Sequence, residues 1–309
     1  MPGTREIELR PPRRIKLPVL LFVATALSTF WAGASHWVPQ EPFSDSLGTS
    51  SWMPVRQVLV AHWNDGLVYM AALLAILLTH EMGHFLATIA HRIRASLPYF
   101  IPFPVFSPIG TMGAVIAMDA MRANRKELFD IGIAGPLAGL AVALPVCWLG
   151  TQQLDLTTTP RGPYSVDLPI LMRWMLDVVQ PPGYERGSMI PVSQLNPLFM
   201  AGWVGLLVTG LNMLPVSQLD GGHVTYTLIG RKAHWLAWCL VIGAVIYMVM
   251  TSQYTWVLML ALVVFVIGVR HPPTSDDQVP LGPTRYAIGC ASLVIPFLCF
   301  APKLLEFRL

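Results

Sequence analysis

His80 and His84 stand four residues apart, with Glu81 directly after the first, in the run Leu78-Thr79-His80-Glu81-Met82-Gly83-His84-Phe85. On a helix, positions i and i+4 share a face, so two imidazoles can point at one divalent ion, zinc by ligand type. Glu81 projects about 100° around the helix from His80, beside the metal and not needed as a ligand, which is the place for a general base. Such a trio supports metal-assisted hydrolysis. The setting adds weight, because these ionisable groups interrupt an apolar stretch at 66–90. Ionisable groups inside a membrane helix are costly and point to function by default. The plainer reading, two histidines satisfied by polar partners in a bundle interior, comes second.

A catalytic zinc takes three protein ligands and keeps one position open for water. The best third candidate is Asp220, in Gly210-Leu211-Asn212-Met213-Leu214-Pro215-Val216-Ser217-Gln218-Leu219-Asp220-Gly221-Gly222-His223. Pro215 removes a helical hydrogen bond, and Gly221 and Gly222 loosen the backbone, which predicts an unwound segment carrying a carboxylate to a buried site. Two alternatives stay open. Asp220 could cap a helix at the membrane surface, and His223 competes as a ligand or as a donor behind the ligands.

The elements that must hold these residues are membrane helices. Of 309 residues, 54% are hydrophobic and only 12% are charged, with mean hydropathy +0.57. A soluble domain carries roughly 25% charged residues, so a soluble globular enzyme is excluded, as is a disordered chain. The net charge of +3 comes with no basic stripe interleaved with aromatics, so no nucleic-acid partner is expected. Cys147, Cys239, Cys290 and Cys299 lie in apolar stretches without CxxC spacing and read as small hydrophobes, not as disulfides or a metal knuckle.

A bilayer core about 30 Å thick needs roughly 20 apolar residues per helix. That window predicts seven spans, near 17–34, 66–90, 128–149, 197–214, 233–250, 254–269 and 285–301. Fourteen of the 20 basic residues then fall on the side of the N-terminus and six on the other. Lysine and arginine favour the cytoplasmic side, so the N-terminus and the active site should face the cytoplasm. The expected fold is an all-α polytopic membrane protein, one integral membrane domain over 1–309. Its catalytic core covers about 66–230, with an N-terminal span at 17–34 and C-terminal spans at 233–301. The first apolar run, ending in Ala32-Gly33-Ala34, also fits a signal peptide, but it is long enough to span.

Two segments between spans stand out. Residues 97–118 are apolar yet contain Pro98, Pro102, Pro104 and Pro108, then Gly110 and Gly113. Such a proline density forbids a regular spanning helix, which predicts a re-entrant loop or β-hairpin on the cytoplasmic side. The polar segment 151–196 contains Leu168–Gln180, expected as a short interfacial helix.

Taken together, His80-Glu81-Met82-Gly83-His84, Asn212-Met213-Leu214-Pro215 and Leu219-Asp220-Gly221-Gly222 resemble the site-2 protease family of intramembrane zinc metalloproteases. Gly135-Pro136-Leu137-Ala138-Gly139 and the Pro/Gly-rich segment are further matches. Ala201-Gly202-Trp203-Val204-Gly205-Leu206 and Gln218–His223 look closest to its plant-chloroplast and bacterial branch. The likeness covers about 66–230 and is weaker near His271-Pro272-Pro273-Thr274.

The resemblance implies one zinc ion held by His80, His84 and Asp220, with Glu81 as base. It also implies that Asn212 lies close by, orienting substrate or the oxyanion. Gly135 and Gly139 match a small-residue motif of the family, and close helix packing through GxxxG spacing would also account for them. The implied activity is regulated intramembrane proteolysis of a single-span membrane protein, in a lipid setting expected to be a bacterial cytoplasmic membrane. The substrate helix must unwind to present a carbonyl, and the 97–118 hairpin is expected to pair with the unwound strand. Many members carry a PDZ or cystathionine-synthase domain, for which this chain has no room. A zinc carrier of the ZIP type is the rival from another class. Its further intramembrane ligands are missing here, since the eight histidines are scattered. A non-cutting relative is a second rival, against which the intact His80, Glu81, His84 and Asp220 argue.

Overall fold

Local chemistry explains where the long helices begin, end and face. The computed structural model describes residues 15–252, 254, 256–301, 303 and 305–307. Arg5, Arg10, Arg13 and Arg14, which orient the expected first span, lie outside the described residues. Helix α1 (Lys16–Ala34) exposes Leu20, Val23 and Leu27 and buries Thr25, Ser28, Thr29, Ala32 and Gly33. That pattern turns the usual soluble one inside out, with small residues allowing close packing inward and aliphatic ones facing outward, as suits a helix long and apolar enough to cross a membrane. Two short helices that composition did not suggest follow, α2 (Glu41–Thr49) and α3 (Met53–Ala61). Helix α4 (Trp63–Ala90) buries Tyr69, Leu73, Ile76, Leu77, His80 and Glu81 along its inner face.

The proline-rich segment folds as the expected hairpin. Strands β1 (Tyr99–Pro102) and β2 (Thr111–Val115) pair antiparallel, Tyr99 with Val115 and Phe100 with Ala114, with an irregularity between Phe100 and Pro102. Irregular backbone needs protein partners at membrane depth, and α1 and α4 supply them. The Ser28 hydroxyl donates to Gly110 O at 2.5 Å and the Tyr69 hydroxyl to Ile109 O at 2.9 Å. Phe100 is buried and meets Phe22 edge-on at 5.1 Å.

Helix α5 (Arg125–Gln152) starts at a reciprocal cap. The Asn124 side chain accepts from the amides of Lys126 and Glu127, while the Glu127 carboxylate accepts from Asn124 N–H. Such a cap stabilises the helix by about 1 kcal/mol. Beyond it, β3 (Tyr164–Val166) is followed by α6 (Ile170–Val179), within the expected interfacial helix, and by β4 (Ile190–Pro191). This segment is tied to the bundle where the buried Trp203 indole donates to Asp167 O at 2.8 Å.

Helix α7 (Pro197–Asn212) carries an Asn196 cap and Pro197 at its first position. Helices α8 (Asp220–Ile229) and α9 (Ala233–Thr251) follow, then α10 (Val257–Ala261), α11 (Pro283–Ser292) and α12 (Ile295–Cys299). The last strand, β5 (Leu305–Phe307), joins β3 on the side opposite β4, so the order is β4-β3-β5 with both pairings antiparallel.

Among the described residues, four segments are long and apolar enough to cross a membrane. They are Lys16–Ala34, Trp63–Ala90, Arg125–Gln152 and the run Asp220–Thr251. The other expected spans take shorter forms. Helix α7 has 16 residues. The 254–269 stretch is α10 followed by a π-helical run, Leu262–Ile267, ending at Gly268. The 285–301 stretch breaks between α11 and α12, where Pro296 cannot donate to the carbonyl of Ser292. The chain is thus mostly helical with two small sheets, not all-α.

Candidate metal centre

Four helices, α4, α5, α7 and α8, and one interhelical loop build the site. Helix α4 brings His80 and His84 to one face, as their spacing requires, and both are largely buried. Asp220 is the first residue of α8, and its carboxylate turns to the two histidines instead of capping its own helix. A carboxylate in the first turn also gains from the helix dipole. The expected unwound stretch is 213–219, with Ser217 in the left-handed region at φ +54°. Gly221 and Gly222 are not part of it. They lie inside α8, and a side chain there would overlap Met213 O and Ser217 O, which cover the start of the helix. The two glycines let the loop lie directly on α8.

The three ligand candidates face one another in a triangle of side chains, their ligand atoms all within 4.8 Å of one another. His80 Nε2 is 3.2 Å from His84 Nε2 and 3.2 Å from Asp220 Oδ2, and His84 Nε2 is 3.3 Å from Asp220 Oδ1. Tetrahedral zinc with ligand bonds of about 2.0 Å requires ligand–ligand edges of about 3.3 Å. The contacts are of that length, with Asp220 meeting the two imidazoles through different oxygens, so the three side chains are spaced to surround a zinc ion. His84 is oriented for this role, since its Nδ1–H donates to Ile131 O at 2.8 Å and leaves the Nε2 lone pair facing inward. Ile131 precedes the carbonyl of Gly132, which Pro136 leaves without its helical donor.

Glu81 is 6% exposed and close enough to His84 and Asp220 for their charges to act on its carboxyl. Asn212 is the last residue of α7, and its amide nitrogen lies 3.5 Å from His80 Nε2. All five residues singled out by sequence therefore converge.

His223 does not join the triangle. With His271 Nδ1–H donating to Pro272 O, neutral His271 accepts at Nε2 from His223 Nδ1–H, at 2.6 Å. Tyr226 stacks on His271 at 4.4 Å and donates to Asp277 at 2.9 Å. Burial holds His271 below the ordinary imidazole range. Burial also pushes the Asp277 carboxyl up, but hydrogen bonds from Thr274 and Tyr226 outweigh it and hold the group low. These contacts fasten α8 to the 271–277 segment behind the ligands.

Sequence reasoning missed two positioning devices. The Arg125 guanidinium donates to Thr227 O at 2.6 Å and Leu228 O at 3.2 Å, closing the C-terminal end of α8 against α5. Gly135 faces the His84 ring so closely that a Cβ would lie 2.5 Å from Cε1 and nearer still to Nε2 and Cδ2. Gly139 has a similar relation to His80, with a Cβ 3.0 Å from Nδ1. The GxxxG spacing was the available signal, but it does not name the histidines as the groups being accommodated.

Residues 68–250 match the sequence model of peptidase family M50. The chain is 33% identical over 229 residues to "Probable zinc metalloprotease EGY1, chloroplastic" of Oryza sativa subsp. japonica, covering 70% of this chain and 38% of that protein. The protein of the same name from Arabidopsis thaliana is 31% identical over 229 residues, covering 70% and 40%. "Probable zinc metalloprotease EGY2, chloroplastic" of Oryza sativa subsp. indica is 26% identical over 245 residues, covering 77% and 43%. The chain spans about two fifths of the length of these curated relatives. By motif, site geometry and this match, the chain belongs to peptidase family M50, the site-2 protease family of zinc metalloproteases.

Proposed function

We propose that the chain is a zinc-dependent intramembrane endopeptidase that cuts a membrane-anchored protein within or near its transmembrane helix. The observation that carries this reading is the triangle of His80, His84 and Asp220 side chains, in mutual contact at 3.2–3.3 Å through both carboxylate oxygens, beside the buried Glu81. His80, His84 and Asp220 would hold the zinc. When bound, zinc polarises the scissile carbonyl and makes water a stronger acid. Glu81 takes the proton from the attacking water and passes it to the leaving amine. The Asn212 amide donates toward the carbonyl oxygen as negative charge grows there.

The test is cleavage of a single-span reporter by the full chain in detergent, with zinc content read alongside. Asp220→Ala should lose one zinc equivalent and cleavage together, because two imidazoles alone leave the triangle open. Cleavage by that variant at the wild-type rate would overturn the assignment.

Substrate presentation falls to the hairpin. Among the described residues no strand pairs with β2 other than β1, so an unwound substrate segment has a backbone edge on which to add. Gly113 has φ +98°, which proline cannot adopt, and Gly110 at φ +81° lies where a Cβ would be 2.7 Å from Ser28 O. Gly110→Pro or Gly113→Pro should therefore reduce cleavage at least tenfold with zinc content unchanged. Equal cleavage would remove the hairpin from substrate binding.

In the same proposal the shorter helices complete seven crossings, with the N-terminus and the site toward the cytoplasmic side. A bacterial cytoplasmic membrane and a plastid membrane both meet these requirements. The relatives reported above carry chloroplastic names.

A further inference from the structure

A second group of metal-ligating side chains lies at the other end of α4. His36 Nε2 is 2.9 Å from Asp65 Oδ2, and His62 Nδ1 is 3.4 Å from the same oxygen. The three candidate ligand atoms all lie within 4.8 Å of one another. The donor set, two imidazoles and one carboxylate, is the same as in the centre formed by His80, His84 and Asp220. Asp65 and His80 are separated by about 22 Å along the helix, so the two groups are independent.

The chain holds these donors deliberately in place. His62 and Asp65 sit at the start of α4 at a spacing that puts them on one face. His36 comes from the turn that ends α1, where His36 and Trp37 both take left-handed backbone, at φ +48° and +71°. Glycine is the usual residue in such a turn. Here Trp37 is buried and packs edge-on against Tyr69 of α4 at 4.7 Å, which anchors the turn and aims His36 at Asp65. Beside the histidines opens a cleft of about 260 Å³ that also presents Glu41 and Asp45 of α2 and has no lysine or arginine in its lining. It offers room for water to complete a coordination shell, in an environment that favours a cation. Both histidines reach solvent there, so an ion has an entry path.

We infer that His36, His62 and Asp65 form a second site for a divalent transition-metal ion of the zinc class, which ties the end of α1 to the start of α4. Nitrogen ligands select against magnesium and calcium, which take oxygen donors. The site does not depend on proteolysis, and its occupancy is read without it.

The probe is zinc itself. The full chain in detergent is equilibrated with zinc buffered in the micromolar range, and bound metal per chain is measured by mass spectrometry. Wild type should hold two equivalents, the His36→Ala/His62→Ala variant one, and the His80→Ala/His84→Ala variant one. The first variant should keep reporter cleavage, which shows that it is folded and that the remaining zinc is at α4 and α8. Asp65→Asn serves as a second variant with nearly unchanged shape and should weaken the second equivalent at least tenfold. One equivalent in wild type, or two in the His36→Ala/His62→Ala variant, would overturn the assignment. Failure of cleavage in every protein, with the two-to-one change in zinc intact, would count against the proposed protease activity and leave the second site standing.

Discussion

Glu81→Gln should lower the rate of reporter cleavage by about 10²–10⁴-fold, the range that general acid–base groups contribute, while zinc content stays at the wild-type level. Glutamine has nearly the same shape as glutamate, and Glu81 is not one of the three ligand residues. The substitution therefore leaves His80, His84 and Asp220 in place and removes only the ability to take a proton. At 6% exposure, Glu81 has little bulk water beside it to replace it as base. The expected loss is thus in kcat, with KM little changed, because the interaction removed is one made during proton transfer. Parallel measurements of zinc and cleavage check it. An unchanged kcat would take the base role away from Glu81. Loss of zinc with activity would make the residue part of the metal site instead.

Gly135→Ala should be nearly as damaging, by a different route. In an ordinary helix interior this change is favourable by about 1 kcal/mol. Here the added methyl would run into three atoms of the His84 ring. The ring cannot swing aside freely, since Nδ1 is tied to Ile131 O on α5 itself and Nε2 faces His80 and Asp220. Nor can α4 and α5 part easily, because a Cβ at Gly83 would already be 2.6 Å from Ala134 O and one at Gly139 3.0 Å from His80 Nδ1. The expected result is at least a 100-fold loss of zinc affinity at this centre, at the upper end of what changes behind metal ligands cause. Cleavage should fall with it, and helix content by circular dichroism should not. Gly243→Ala on α9, where a Cβ meets nothing within 4 Å, is the matched control and should behave as wild type. Retention of tight zinc binding by Gly135→Ala would return the glycine to a packing role alone.

These two residues mark the difference between what was legible in the chain and what was not. His80, Glu81 and His84 could be read directly, because ligands on one helix obey a local periodicity that spacing alone reveals. Their membrane setting was legible for a related reason, since hydropathy is a sum over neighbours in sequence. The hairpin was legible from Pro98, Pro102, Pro104 and Pro108, which remove donors and so forbid a helix, whatever surrounds them. Its partners, Ser28 and Tyr69, were not.

The short helices α2 and α3 and the strands β3, β4 and β5 went unread, since segments of two to nine residues carry no period long enough to detect. Asp220 was the best third candidate but had His223 as a competitor, because it lies 140 residues from His80 and no local period links the two. Packing of α8 on α5, with Arg125 holding one end and the loop over Gly221 and Gly222 the other, sets its 3.2 Å approach. The orientation of His84 rests on a carbonyl, a group every residue possesses, so no residue type could announce Ile131. Likewise GxxxG spacing says that something comes close to Gly135. Only the crossing of α4 and α5 makes that something an imidazole. Residue types and local spacing determined the chemistry available to this protein, and long-range packing decided which atoms meet to perform it.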